Sequence, residues 1–338
     1  MLRISFLYIF SLNYIYYLII YKNSKIYIFK RIRQNMKRKA IQLANQTLVI
    51  SLPSKWVKQQ GIKKGDEIEV TEEENRLIIG EPKKQEHKKI EIDIINYSIS
   101  MLYRHLRALY REGYDELILK FKNIAQLNEI EEVINNLISF EIVEQINNKC
   151  IIKDISVSQT KDINELIKRV FIIIISMCEE LQNSIKDLEI NKLKEIIKID
   201  TQINRLTDYI LRLINKNIIK EQMKTRLLYF ITMQLEYIGD NFKIIAKKTI
   251  ESNLKRFDMI TIKLLNEAYN SINLFYLNFY KPDESLIKEA NDIKESINLI
   301  YRDINKSKIS KNEIEICDII KHNIYMIIDT LDEVRVAL

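Results

Sequence analysis

The fold of the N-terminal part of the chain is decided by the stretch Thr47-Leu-Val-Ile-Ser-Leu-Pro-Ser-Lys-Trp56 and by Gly61-Ile-Lys-Lys-Gly-Asp-Glu-Ile-Glu-Val70, which follows it. Pro53 ends a strand-like run, Ser54 can cap a short helix, and the glycine at position 61 can end that helix. A strand, a short helix and a hairpin within residues 36–82 cannot bury much apolar surface. Such a small unit usually needs a second chain to complete its core.

The composition of the whole chain is that of a globular protein. Its 338 residues are 47% hydrophobic and 29% charged, which argues against extended disorder. This length corresponds to two or three domains. Only 5 glycines and 3 prolines occur, so a collagen-like chain is excluded and a large all-β fold, with its many turns, is disfavoured. The sequence contains no glycine-rich loop of the kind that binds nucleotide phosphates.

Positive charge is concentrated in two parts of the chain. Residues 1–35 contain six basic and no acidic residues, and they supply most of the net charge of +7. Residues 37–64 contain seven basic residues and no acid, whereas residues 66–86 contain eight acids and three bases. Such a sharp boundary within one small domain indicates a basic face that can bind nucleic acid, although an ordinary solvated surface would give the same pattern.

Residues 1–35 allow two interpretations. The run Ile4–Tyr21 is almost entirely apolar and, at 18 residues, just reaches the length that can span a bilayer. The same 35 residues contain no Val, Ala, Asp, Glu or Gly, the amino acids whose codons begin with G, as expected if AT-rich DNA upstream of a gene were translated. Met36 would then be the true start. A misassigned start and a membrane segment both remain open.

A second region, residues 89–156, alternates between strand-like and helix-like runs in the order βαβαββ. Asn147-Asn148 is typical of a hairpin turn between the last two strands. The predicted strands are Lys89–Ile95, Glu116–Phe121, Phe140–Gln145 and Cys150–Ile155, and the predicted helices are Tyr97–Arg111 and Leu127–Leu137. We expect a small α/β domain here.

From residue 160 to residue 338 the pattern is helical. Asp162 with Glu165, and Ser310 with Glu313, have the spacing of capping boxes that start helices. The six predicted helices cover residues 162–188, 191–216, 220–251, 255–280, 284–306 and 311–336. Most of these segments reach the length of bundle helices. We therefore expect a multidomain α+β protein that ends in two three-helix bundles, the second a repeat of the first.

The chain offers no arrangement typical of an enzyme. Its three cysteines, Cys150, Cys178 and Cys317, are far apart and predict reduced, buried thiols rather than disulfides or a zinc site. The three histidines are isolated, and no nucleophile with a nearby base can be identified. We expect no catalytic activity and no small-molecule substrate.

Residues 36–82 resemble the AbrB/SpoVT/MazE family of swapped-hairpin DNA-binding domains in the order strand, proline, helix, Gly-Ile-Lys-Lys-Gly-Asp and strand. The resemblance implies that two chains interleave their hairpins into one β-barrel. It also implies DNA contacts from basic residues of the first strand and the short helix. The matching residues here are Lys37, Arg38, Lys39, Lys55 and Lys58. Gln46-Thr47 stands where the family has an arginine before the strand.

Residues 160–338 resemble the phosphate-uptake regulator family PhoU, most clearly in Leu235-Glu-Tyr-Ile-Gly-Asp-Asn-Phe-Lys-Ile-Ile-Ala246. In that family, metal ions lie on acidic residues of two three-helix repeats. Carboxylates four residues apart face one side of a helix, as an oxygen-ligated metal requires. The matching acids of the first repeat are Asp200, Glu236 and Asp240, which would hold a divalent or ferric ion. The alternative is a helix-packing motif around Gly239.

The match to the acidic positions is incomplete in both repeats. In the first, Asn204 stands where the family has a second acid on the helix. In the second, Ser296 and Tyr325 replace the acids that would accompany Asp292 and Asp329. Each missing carboxylate removes a ligand, so the resemblance implies a weaker metal site in the second repeat than in the first.

The order of the three regions, over residues 36–338, resembles archaeal proteins that join an AbrB-like head to a PhoU-like body. It implies a cytoplasmic, homodimeric transcriptional regulator that binds DNA through its head and is linked to phosphate uptake. The alternative is an accessory protein that restrains a phosphate ABC transporter or its sensor kinase and uses the head only for dimerisation. A membrane segment within residues 1–35 would favour this alternative.

Overall fold

The computed structural model of the chain describes most residues after position 36. The described ranges are 16–22, 25–30, 37–43, 47–73, 76–80, 87–156, 162–216, 222–304 and 309–337. The chain divides into two compact units, Met1–Lys84 and Gln85–Leu338. The second unit contains both the α/β region and the helical region, so these two are packed together.

The first unit begins with an antiparallel hairpin of β1 (Tyr16–Lys22) and β2 (Lys25–Lys30). The described part of the apolar run Ile4–Tyr21 is therefore strand and not helix, while residues 4–15 of that run lie outside the described residues. Among the described residues of the whole chain, every helix is too short or too polar to cross a bilayer.

The head that follows has the predicted order of elements. Two short strands, β3 (Ile41–Leu43) and β4 (Thr47–Val49), pair as an antiparallel hairpin. Helix α1 (Ser54–Gln60) comes next and ends at Gly61, which has a positive φ of 68°. A second antiparallel hairpin joins β5 (Val70–Glu73) to β6 (Arg76–Ile79). The prediction that Pro53 and Gly61 bracket a short helix is confirmed.

The head has no core of its own in the single chain. None of the described side chains in residues 37–80 is buried. Six large apolar side chains are at least half exposed: Ile41, Leu43, Leu48, Ile50, Val70 and Leu77. The two hairpins form separate two-stranded sheets and do not close into a barrel. The barrel predicted from the resemblance is shared by two chains, so it stays a prediction for the dimer.

The α/β domain is a four-stranded sheet with two helices. Its elements are β7 (Lys89–Asp93), α2 (Ile99–Arg111), β8 (Glu116–Lys120), α3 (Ile124–Ile134), β9 (Phe140–Ile146) and β10 (Lys149–Asp154). The strand order is β7-β8-β10-β9, with β7 and β8 parallel and the other neighbours antiparallel. The predicted βαβαββ pattern is confirmed. Helix α3 begins earlier than predicted because the Asn123 side chain caps it by accepting a hydrogen bond from the backbone N–H of Gln126.

Six long helices complete the second unit. They are α4 (Ile163–Asp187), α5 (Ile190–Asn215), α6 (Gln222–Ser252), α7 (Met259–Tyr280), α8 (Ser285–Ile304) and α9 (Lys311–Ala337). Helices α4–α6 pack together, as do α7–α9, and the two groups meet through α4 with α7 and α6 with α9. The predicted pair of three-helix bundles is confirmed. The α/β domain packs on the first bundle through α2, which contacts α5.

Candidate functional site

Helix α5 carries an unusual row of polar side chains on a largely buried helix. Asp200, Asn204, Asp208 and Arg212 follow one another at intervals of four residues, and Lys216, the residue that caps the helix C-terminus, continues the row. Residues four apart are neighbours on a helix surface, so the row is a continuous stripe that winds slowly around α5. Asp200, Asp208 and Arg212 are buried. Each therefore needs a partner, and the structure supplies one for each.

Two arginines of α2 bind two carboxylates of the first bundle in what we call the arginine–carboxylate cluster: Arg107, Arg111, Asp208 and Glu236. Arg107 donates from Nε to Asp208 Oδ2 and from Nη2 to Glu236 Oε1 at 2.6 Å. Arg111 donates from Nε to Asp208 Oδ1 and from Nη2 to Glu236 Oε2 at 2.8 Å. Every oxygen of the two carboxylates thus accepts from an arginine.

The cluster is largely withdrawn from water. The Asp208 and Glu236 side chains are 3% and 7% exposed, and those of Arg107 and Arg111 are 18% and 19% exposed. Burial alone would lower the pKa of Arg107, but the charges of Asp208 and Glu236 outweigh it and raise the pKa. Burial raises the pKa of Asp208, although Arg111 and Arg107 oppose the shift. Buried ions are tolerated only when each has a well-placed partner, and here each has two.

A second set of charges lies next to the cluster. Lys243 on α6 donates to Asp200 Oδ2 at 2.7 Å and to Asp240 Oδ1. The side-chain amide of Asn204 donates from Nδ2 to the same Asp200 oxygen at 2.9 Å, and its Oδ1 accepts from Arg107. The other oxygen of Asp200, Oδ1, is buried without a hydrogen-bond partner among the described residues. Burial raises the pKa of Asp200, although Lys243 opposes the shift.

A cavity of about 200 Å³ opens beside these groups, between α2, α3 and the first bundle. Its lining includes Arg107, Asp200 and Lys243, together with Tyr103 and Asn136 of the α/β domain. The charged residues of the lining are three cations and two carboxylates: Arg107, Arg205, Lys243, Asp200 and Asp208.

Arg212 forms a third set of contacts, deeper in the junction between α5 and the α/β domain. Its side chain is 1% exposed and donates to Asp154 Oδ2 at 2.7 Å and to the carbonyl oxygens of Tyr110 and Tyr114. The guanidinium carbon also lies 4.9 Å from the ring centres of both Tyr110 and Phe140. Such contacts with aromatic faces favour a desolvated cation. Arg212 thus fixes the end of α5 to the sheet.

The carboxylates that the resemblance assigned to a metal ion are not arranged as a metal site. Glu236 is held by the two arginines, while Asp200 and Asp240 are held by Lys243. Within the described ranges, no three His, Cys, Asp or Glu side chains converge as metal ligands would. An oxygen-ligated metal needs free carboxylate oxygens, and cations already occupy most of them. These residues therefore do not fit the metal ion that the resemblance implied.

The acids of the second repeat lie on the surface. The Asp329 carboxylate is 71% exposed and lies 3.6 Å from Lys294 Nζ. Asp292, on α8, is also exposed. An ion pair this exposed is worth little in water. The second repeat thus gives no more support to a metal site than the first.

Helix packing around Gly239, the alternative role of this segment, agrees with the contacts. A Cβ added at Gly239 would lie 2.9 Å from Ile203 Cδ1 and 3.3 Å from Ile203 Cγ2. Helices α5 and α6 are thus close together at this point, and glycine permits that approach.

The five cations predicted to contact DNA are all exposed. Lys37, Arg38 and Lys39 precede β3, and Lys55 and Lys58 lie three residues apart on α1. Residues with this spacing share one face of a helix. The structure describes no ion pair for any of the five, within the parts of the chain it covers. Their charges are therefore available to an outside partner.

Arg107, Arg111, Asp208 and Arg212 were missed in the sequence, although a signal was present. Arg107 and Arg111 are four residues apart on a helix whose other face is apolar, and Asp208 and Arg212 have the same spacing in an apolar part of α5. Two arginines on one helix face, and buried charged residues within an apolar helix, indicate ion pairs between helices. Their partners cannot be chosen from the many other charged residues by sequence spacing alone.

Two family models match the chain. The model of MazE, a bacterial antitoxin described by antidote–toxin recognition, matches residues 41–87. The PhoU domain model matches residues 167–249, which run from α4 to α6. Comparison with curated proteins and with solved structures gave no significant match. The chain therefore contains an N-terminal MazE/AbrB-like domain followed by a PhoU domain, the architecture that the resemblance implied.

Proposed function

We propose that the protein is a cytoplasmic, dimeric DNA-binding regulator linked to phosphate uptake, with no catalytic activity. The head supplies the DNA contacts and the dimer interface, and the PhoU domain supplies the link to phosphate. The observation that carries the proposal is the head itself, which combines five exposed cations with an apolar surface that its own chain leaves uncovered.

The exposed apolar surface supports the dimer. Six large apolar side chains at least half exposed in so small a unit would be costly in water, and isolated two-stranded hairpins are marginally stable. A second copy that interleaves its hairpins with these would cover the side chains and pair the strand edges. A monomeric full-length protein at micromolar concentration would contradict this step.

The exposed cations support DNA binding through phosphate contacts. Each lysine or arginine that neutralises a phosphate releases counterions, so affinity falls with salt at a log–log slope of about −0.9 per phosphate. A dimer presents each cation twice, which makes the dependence steep. Such contacts position a protein on DNA without reading its sequence.

The test is a salt titration of binding to a mixed-sequence DNA duplex, using the full chain and the variant K37A/R38A/K39A. We expect the variant to bind more weakly and with a shallower slope. The matched control is K186A/K194A/K288A, which removes three exposed lysines of the bundles and should bind as the unmodified protein does. Equal binding by the K37A/R38A/K39A variant, or no binding by the unmodified protein at low salt, would refute the proposal.

One observation favours the accessory role as a second candidate. Gln46-Thr47 replaces the arginine that the family has before the strand, which removes a cation from the expected DNA-reading surface. In this version the head only dimerises the chain, and the PhoU domain restrains a phosphate ABC transporter or its sensor kinase. A dimer that ignores duplex DNA at low salt is the result this candidate predicts.

A further inference from the structure

We propose that Arg107 and Arg111 are built-in counter-cations that fill the carboxylate site of the first bundle, so that the α/β domain takes the place a metal ion would have and no metal binds at Asp208 and Glu236. The proposal concerns what holds the PhoU domain together. It does not depend on whether the head binds DNA.

The first argument is the complete use of the carboxylate oxygens. Asp208 and Glu236 offer four oxygens, and each of the four accepts a hydrogen bond from a different nitrogen of Arg107 or Arg111. Calcium and magnesium bind through oxygen atoms such as those of carboxylates. A metal ion at Asp208 and Glu236 would therefore compete with both guanidinium groups for the same oxygens.

The second argument is that the arginines belong to the contact between the α/β domain and the first bundle. Both lie on α2, which packs on α5. Arg107 is also held by the side-chain oxygen of Asn204, at 3.0 Å. The same α/β domain is attached to α5 by the buried Arg212. A competing cation would therefore have to replace ion pairs that join the domain to the bundle.

The third argument is chemical. A guanidinium group stays protonated at any pH a protein survives, and its planar fork matches two carboxylate oxygens better than an ammonium group does. The four-residue spacing of Arg107 and Arg111 places both forks on one side of α2, toward the same two carboxylates. The cluster is thus a permanent, geometrically matched replacement for a divalent cation.

The experiment compares metal uptake and thermal unfolding of the full chain after removal of metals by a chelator. For the unmodified protein we expect no bound manganese at the cluster and no change in Tm on adding MnCl₂ or MgCl₂. In R107M/R111M the two carboxylates lose their partners. We expect Tm to fall by about 10 °C and to recover by about 5 °C when Mn²⁺ is present at 100 times its Kd.

The matched control is R104M, which removes an exposed arginine of the same helix whose Nε bonds only to the backbone of Ser100 in the contacts described. It should behave as the unmodified protein does in both measurements. A folded R107M/R111M protein that gains nothing from Mn²⁺ would overturn the proposal, because the carboxylates would then not form a site that a metal can fill.

A second pair of measurements keeps the proposal testable if R107M/R111M does not fold. Calorimetric titration with MnCl₂ compares the unmodified protein with D208N/E236Q. Uptake by the unmodified protein that D208N/E236Q abolishes would place a metal on these two carboxylates and overturn the proposal. If neither protein takes up Mn²⁺, or if both take up the same amount, no Mn²⁺ binds to Asp208 and Glu236, which agrees with the proposal.

Discussion

Replacing Arg212 with methionine should destabilise the second unit more than any other single charge removal on α5. Arg212 is almost fully buried, and it donates to Asp154 and to two backbone carbonyl oxygens. Methionine matches the side chain as far as Nε and removes all these donors together with the guanidinium head. The substitution therefore tests the buried contacts and keeps the apolar part of the side chain in place.

The expected loss follows from what is left behind. Breaking a buried ion pair by removing one partner costs about 3–5 kcal/mol. Lys216 Nζ lies 3.7 Å from Asp154 Oδ2 and can take over part of the pairing. The carbonyl oxygen of Tyr114 loses its donor as well, which costs about 1–3 kcal/mol if no water replaces it. We expect a net loss of about 4 kcal/mol, a large fraction of the 5–15 kcal/mol typical of a folded protein.

Urea unfolding followed by far-UV circular dichroism measures this loss. The helical signal is required because the single tryptophan, Trp56, lies in the other unit. At an m-value of about 3 kcal/mol/M, a loss of 4 kcal/mol lowers the midpoint by about 1.3 M. R212K keeps the charge without the planar fork, so its urea midpoint should lie between those of the unmodified protein and R212M.

The control is R205M, on the same helix but at an exposed position, which should change stability by no more than about 0.5 kcal/mol. If R212M lost less than about 1 kcal/mol relative to R205M, the carboxylate and carbonyl groups around Arg212 would have found water or another donor. The buried contacts would then not hold α5 to the sheet, and the reasoning from burial would be refuted.

Three further predictions concern pH, packing and thiol reactivity. Burial by itself would raise the pKa of Asp154, but hydrogen bonds from Ser156 and the Arg212 ion pair outweigh it and lower the pKa from 3.8. The stability that the ionised Asp154 contributes is therefore fully present above pH 3.8 and is lost as the pH falls through the lowered pKa. When the urea midpoint is measured at a series of acidic pH values, D154N should make its fall with decreasing pH less steep. An equally steep fall in D154N would contradict this. G239A should cost about 1 kcal/mol, because its Cβ meets Ile203 Cδ1, and I203V should relieve part of the cost in the double variant; simple additivity would contradict this. Burial raises the pKa of Cys150 and Cys317 to about 11, so thiol reagents at neutral pH should label these residues only after unfolding, and rapid labelling of the native protein would show that they are accessible.

The order of elements could be predicted from the sequence because its signals are local. Asp162 begins α4 as predicted, since its side chain accepts from the backbone N–H of Asn164. Gly61 ends α1 as predicted, with the left-handed backbone that glycine permits. Helix α3 begins at Ile124, three residues before the predicted start at Leu127, because the Asn123 side chain caps it. Each of these features depends on residues within one or two turns.

The candidate site could be predicted only in part because its contacts are not local. The resemblance of their helix to the PhoU family points to Glu236 and Asp240. Their partners depend on how separate elements pack: Arg107 and Asp208 are 101 residues apart in the chain. The sequence shows a carboxylate pair equally well as a metal ligand and as half of an ion pair. Only the position of α2 against α5 decides between the two.

The two repeats differ in charge for a reason that the α/β domain supplies. On the alignment that pairs Asp200 with Asp292, the positions of Asp208 and Arg212 correspond to Ile300 and Ile304 on α8, and both isoleucines are buried. The second repeat therefore lacks the charged groups that receive α2 in the first. Since one chain carries one such domain, only one bundle needs these charges. Tyr325, at the position of Glu236, thus reflects the absence of a docked helix in the second repeat. In the first, the docked helix explains Asp208 and Glu236, whereas Asp200 and Asp240 pair with Lys243 of the bundle itself.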